Sequence, residues 1–147
     1  MAMKPFCGYN FADYFAHWLS LGQADATLPT TALPKIFHVN WFRKGGDGQF
    51  LWPGFGENLR VLEWMIRRVE GKADAVETPI GHLPRAEDLN LDGVALSDEA
   101  NELLFGFDRA GWQAEFASIG EYLQEFGTRT PQALKDEQQR IAARLAH

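Results

Sequence analysis

Apolar positions along this chain recur at helical spacing in several stretches and at strand spacing in one. Phe11, Tyr14, Phe15, Trp18, Leu19 and Leu21 follow steps of three and four, which predicts an amphipathic helix capped by Asn10 and stopped near Gly22. Residues 24–34 hold Thr, Ala and two prolines and read as a surface loop. Lys35 to Phe42 alternates instead. Phe37, Val39 and Trp41 share one strand face, and Ile36, His38, Asn40 and Phe42 the other. A turn at Gly45-Gly46-Asp47-Gly48 predicts a return strand at Phe50-Leu51-Trp52, and Pro53-Gly54-Phe55-Gly56 cannot continue the ladder.

Asn58 then stands where a helix cap is expected, with Leu59, Leu62, Ile66 and Val69 as its apolar stripe, Met65 beside it and Gly71 beyond its end. Thr78 to Pro84 reads as a short extended piece and 85–96 as loop. Ser97 can cap a short helix through Leu104. Trp112, Phe116, Ile119, Leu123 and Phe126 form a buried stripe, and Trp18 is expected in the core with them. Thr130-Pro131 resembles a cap followed by proline at the first helical position. Leu134, Gln138, Ile141 and Leu145 mark a last helix with a polar interruption. The expectation is a mixed, helix-rich α/β fold with a short β-hairpin and about five helices.

Size and composition narrow the choices. The chain has 147 residues, 46% hydrophobic and 23% charged, which suits a single folded domain over 1–147 or a part of one. A net charge of −6 argues against binding a phosphate backbone as its main task. With Cys7 as the one cysteine, no intrachain disulfide can form, and a reducing, cytoplasmic setting is expected. The start lacks the apolar stretch of a secretory signal, and no apolar run approaches the roughly 20 residues of a membrane span.

Most chemistry sought in the chain is missing. There is no Gly-x-x-x-x-Gly-Lys-Ser/Thr loop, no Cys/His set at zinc spacing, and no His beside Ser20 or Ser97. His17, His38, His82 and His147 lie on different elements and read as structural or surface residues. Cys7 reads as a packed, unreactive thiol. No catalytic residue and no metal ligand is assigned.

What stands out is the run from Phe37 to Asn58, where large rings crowd around glycines and Pro53. Rings on tight turns can form a slot for a flat π-system, and an adjacent Asn can read its edge with a donor and an acceptor side by side. Packing of a hairpin against a helix is the plainer reading of the same residues.

At this point a family resemblance becomes specific. Pro5-Phe6-Cys7-Gly8-Tyr9-Asn10-Phe11, His17-Trp18-Leu19, Lys35 through Lys44, Phe50 through Asn58, and Thr78-Pro79-Ile80-Gly81 resemble, in order, the C-terminal portion of GTP-dependent phosphoenolpyruvate carboxykinase. The resemblance covers essentially the whole chain. It implies the guanine-binding part of the nucleotide domain of an enzyme of gluconeogenesis. That enzyme converts oxaloacetate and GTP to phosphoenolpyruvate, GDP and CO2, with Mn or Mg, and is usually monomeric. Carried over by residue, Trp41, Phe42, Phe50 and Phe55 surround the guanine of GTP or GDP, and Asn58 reads its edge. Leu59 departs from the small polar residue usual after the Asn, and Gly45-Gly46 loosens the turn. The family's phosphate loop, metal ligands, oxaloacetate-binding arginines and lid are expected upstream of Met1. The chain alone is therefore expected to be inactive, and to expose an apolar face through which it self-associates. Two other readings remain open: a stand-alone aromatic nucleotide- or RNA-binding module, and a structural interaction domain.

Overall fold

A computed structural model describes residues 4–22 and 33–147. Among the described residues it contains α1 (Phe11–Leu21), α2 (Asn58–Val69), α3 (Asp98–Phe105), α4 (Arg109–Gln124) and α5 (Gln132–Ala146). One antiparallel pair joins β1 (Val76–Thr78) to β2 (Gly81–Leu83). The expected helix-rich mixture is what forms. Contacts divide the chain into two compact units, one built from 1–34 with 108–147, the other from 35–107. Of the loop expected over 24–34, only Leu33 and Pro34 fall among the described residues.

In the first unit the Asn10 side chain accepts from the Ala12 N–H at 2.9 Å, so α1 starts where its cap predicts. Phe11 and Ala12 are buried against Phe126, with Cys7, Tyr14, Phe15 and Tyr122 packed around them. The Phe15 ring meets that of Phe126 edge-on at 5.8 Å. Trp18 is not core: it is exposed, with the Tyr14 ring edge-on 6.0 Å away. The burying contacts of α1 lie in its first turns, and Trp18 is two turns further on.

Helices α4 and α5 pack together through Leu123, Ile141 and Leu145, all buried. The polar interruption at Gln138 has a use there, because its Nε2 donates to the Phe116 carbonyl at 2.8 Å. Thr130 does not cap α5. Its hydroxyl donates instead to the Leu123 carbonyl at 2.7 Å, which satisfies an orphan acceptor at the end of α4.

In the second unit the expected strand over 35–42 does not form. Asn40 Oδ1 takes the Phe42 N–H at 3.0 Å, a side-chain turn that bends the chain where a ladder would have to run straight. Between 43 and 51 a tight turn remains, with one bridge, Lys44 with Phe50, flanked by the Leu51 N–H to Arg43 carbonyl and Gly45 N–H to Gln49 carbonyl bonds, both 2.9 Å. The hairpin lies instead at 76–83, closed by Pro79-Ile80, with Thr78 opposite Gly81. The Thr78 hydroxyl donates to the Gly81 carbonyl at 2.7 Å.

The core of this unit is Trp52, Trp64 and Leu89, with Phe37, Trp41, Val61 and Met65 among the side chains packed on it. This reverses the expected face of α2. Leu59, Leu62, Ile66 and Val69 are exposed, and Trp64 is the residue that goes inside. Both sides of the helix are apolar, so spacing alone does not choose between them. Ser97 Oγ accepts from the Ala100 N–H at 3.1 Å and starts α3 as expected. The guanidinium of Arg85 closes the turn before Leu89 and holds the Asp88 carboxyl below the usual carboxylate range.

Candidate functional site

The segment 41–58 carries every residue the sequence nominated. Its rings are displayed rather than packed away. Phe42 is 72% exposed, Phe50 56% and Phe55 97%. The first two stand together, ring centroids 5.9 Å apart at 63°. Lys44 Nζ lies 5.3 Å from the centre of the Phe50 ring, a cation–π contact that occupies one side of it. Trp41 is half-buried and packs on the Trp52–Trp64 core, so it supports this surface from behind. Among the described residues no ring contact joins Phe55 to the Phe42–Phe50 pair. One shallow hollow is lined by Gly45, Asp47, Gln49 and Phe50 and another by Val39, Trp41 and Trp52, and neither includes Phe42, Phe55 or Asn58.

The backbone explains how Phe55 comes to stand clear. Gly54 has φ 77° and Phe55 itself φ 44°, in the left-handed region that a bulky residue seldom occupies. Such a residue costs about 1–2 kcal/mol in that conformation. Because Phe55 is almost fully exposed, no packing recovers that cost. Strain held at an exposed ring is the kind found at ligand-binding positions. Phe55→Gly is therefore expected to raise stability by up to about 1 kcal/mol, after the extra freedom of glycine in the unfolded chain is subtracted. The measurement is urea unfolding followed by circular dichroism. A glycine variant less stable than the parent would mean that the ring has a packing role.

From Phe55 a single 3-10 turn, Phe55–Glu57, leads into α2. Asn58 is not the cap. It is the first residue of the helix, with φ −60° and ψ −28°, and its backbone N–H donates to the Phe55 carbonyl. Glu57 occupies the cap position without a side-chain cap bond, its carboxylate being paired with Arg60. Arg60 also donates to the carbonyls of Asn90 at 2.7 Å and Asp92 at 2.9 Å, which ties the start of α2 to the 90–92 loop. Relieved of capping, the Asn58 carboxamide turns to Trp52, whose Nε1 donates to Oδ1 at 3.0 Å. No hydrogen bond among the described residues engages its Nδ2. In the sequence Trp52 is only one more ring in the run; nothing in the spacing announces a bond between positions six apart on different elements.

The arrangement offers aromatic faces and one oriented amide, and little else. Among the described residues no three His, Cys, Asp or Glu side chains gather where they could hold a metal ion. No helix among them is long and apolar enough to cross a membrane.

The family model of the phosphoenolpyruvate carboxykinase C-terminal P-loop domain matches residues 1–144. The chain belongs to the GTP-dependent phosphoenolpyruvate carboxykinase family. Phosphoenolpyruvate carboxykinase (GTP) of Chlamydia pneumoniae is 53% identical over 145 residues, covering 98% of this chain and 24% of the relative. The corresponding proteins of Renibacterium salmoninarum and Thermoplasma volcanium are 50% and 48% identical, covering 99% and 92% of this chain. This carboxykinase chain spans about a quarter of the length of the curated relatives it matches.

Proposed function

We propose that this chain supplies guanine recognition to a GTP-dependent phosphoenolpyruvate carboxykinase, which converts oxaloacetate and GTP to phosphoenolpyruvate, GDP and CO2 in the cytoplasm. The observation that carries the reading is the coincidence of exposed Phe42, Phe50 and Phe55 with an Asn58 amide left free of capping. The guanine lies against the phenylalanine faces, and Trp41 backs the surface. Asn58 Nδ2 donates to O6 while Oδ1 accepts from N1–H. Stacking holds any base and is worth about 1–3 kcal/mol per base, so it contributes affinity without choice. The edge bonds choose, because a buried polar atom left unpaired costs about 1–3 kcal/mol.

The reaction also requires a divalent cation, manganese or magnesium. The described residues form no site for one, and no step is assigned to it in this chain. Phosphoryl transfer rests on positioned cations and metal, so this chain by itself binds nucleotide and does not turn over.

The test is binding of GDP and ADP to this chain, followed by NMR shift perturbation at millimolar nucleotide. The parent prefers GDP. Phe55→Ala weakens both nucleotides alike, and Asn58→Ala removes the preference, a change of about tenfold in the ratio. Equal binding of GDP and ADP by the parent would refute guanine recognition. Binding of oligo-U without GDP would point to single-stranded RNA instead.

The exposed stripe Leu59, Leu62, Ile66 and Val69 carries a second prediction. Four apolar side chains in a row on one helix face exceed what an isolated surface normally tolerates. The chain by itself therefore self-associates, and Ile66→Glu shifts its sedimentation toward the monomer. A parent that sediments as a monomer at millimolar concentration would refute this.

A further inference from the structure

A carboxamide does not by itself distinguish guanine from adenine. Guanine presents a donor at N1 and an acceptor at O6; adenine presents an acceptor at N1 and a donor at N6. The Asn side chain carries one donor end and one acceptor end. Its last torsion is broad and nearly two-fold, so a half-turn converts a match for one purine into a match for the other. Edge reading at Asn58 selects guanine only if something forbids that half-turn.

The structure holds a group that does. Trp52 Nε1 donates to Asn58 Oδ1 at 3.0 Å, and an indole N–H cannot accept. After a half-turn the Asn58 NH2 would face the indole N–H, two donors with no acceptor between them. Trp52 cannot turn aside to relieve this. It is 6% exposed, locked in the cluster with Trp64 and Leu89, and Trp64 is in turn fixed by a bond from its Nε1 to the Asp74 carbonyl at 3.2 Å. The Asn58 backbone is equally fixed as the first residue of α2. Holding Oδ1 does not disable it, since a carbonyl oxygen has two lone pairs and the second can take N1–H. Nδ2 stays available for O6.

We infer that Trp52 is a specificity-determining positioning residue, whose indole N–H holds the Asn58 carboxamide in the one orientation that reads guanine. This rests on the base-recognition reading above, and it locates the selectivity one residue deeper than the side chain that touches the base.

The experiment compares GDP and ADP binding in the parent chain, Trp52→Phe and Asn58→Ala. Trp52→Phe keeps an aromatic ring in the core and removes the N–H. It is expected to lower the GDP-over-ADP ratio about tenfold while GDP affinity itself falls only about two- to threefold. If Trp52 acted on the nucleotide through packing alone, without orienting Asn58, the variant would instead weaken both nucleotides equally and leave the ratio alone, and that result overturns the inference. If the Phe variant does not fold, Trp52 is replaced site-specifically by benzothienylalanine, which keeps the bicyclic outline and puts sulfur where the N–H was. The same fall in the ratio is expected, and a benzothienyl variant with the parent's ratio overturns the inference. If Asn58→Ala keeps the parent's preference, the base-recognition reading fails and this inference fails with it. If Asn58→Ala loses the preference and the Trp52 variants retain it, only the positioning role fails.

Discussion

Trp64→Ala is expected to cost the 35–107 unit about 3–5 kcal/mol, the range for truncating a large buried aromatic. A domain's whole stability is commonly about 5–15 kcal/mol, so the unit should be largely unfolded in mild urea. The size of the effect follows from how much rests on this side chain. Trp64 is 4% exposed, meets the Phe37 ring edge-on at 6.1 Å, and packs in the cluster with Trp52 and Leu89. Its N–H also anchors the Asp74 carbonyl. Alanine removes all of these together and leaves a void beside Trp52. Guanine preference should therefore fall in the same variant, before the unfolding midpoint is reached. Trp64→Phe keeps most of the volume and should cost much less. Urea titrations followed by circular dichroism measure both, and an alanine variant within about 1 kcal/mol of the parent would mean that this cluster is not the unit's core.

Leu145→Ala tests the other unit. Leu145 is fully buried at 0% exposure, in the last turn of α5. Its loss is expected to cost about 2–5 kcal/mol. The position matters beyond its volume, because the Leu145 carbonyl accepts from Arg109 Nη1 at 3.0 Å and from Gln113 Nε2 at 2.8 Å. The end of α5 is thus held by side chain and backbone to the start of α4. Thermal melting of parent and variant measures the effect. A folded Leu145→Ala chain should keep the parent's GDP-over-ADP ratio, since none of the residues proposed to read the base lies in α4 or α5. An unchanged melting temperature would show that the helix end contributes little.

Helices were legible in the sequence where a cap and a stripe agreed. Asn10 and Ser97 cap the helices they precede, and of the stripe expected inside, Leu123 and Phe126 are buried while Trp112, Phe116 and Ile119 are half-buried. Two elements misled for physical reasons. The alternation at 35–42 is a true strand pattern, yet a strand needs a partner, and here the Asn40 side chain supplies a competing local bond. On α2 the regular stripe 59, 62, 66 and 69 was the more visible signal, while a single Trp64 on the other side outweighed it in burial. The candidate site was legible as residue types, since rings beside glycines and an Asn already suggest stacking with edge reading. Its geometry was not. Asn is a favoured cap, so Asn58 read as one, and only coordinates reveal that its carboxamide is spoken for by Trp52. Nor does any pattern announce a phenylalanine with positive φ.

The two-unit division has a consequence for how the polypeptide matures. Helices α4 and α5 pack on each other and also on residues far back in the sequence: Phe11 against Phe126, Asp13 with Arg129 at 2.8 Å, and Lys4 with Glu125. The core of the 35–107 unit draws on residues within that span, Trp52, Trp64 and Leu89. During translation the 35–107 unit can settle first, since the residues of its core are all made before α4 and α5 begin. Ribosome-stalled chains ending soon after position 107 should already protect Trp64 from quenchers.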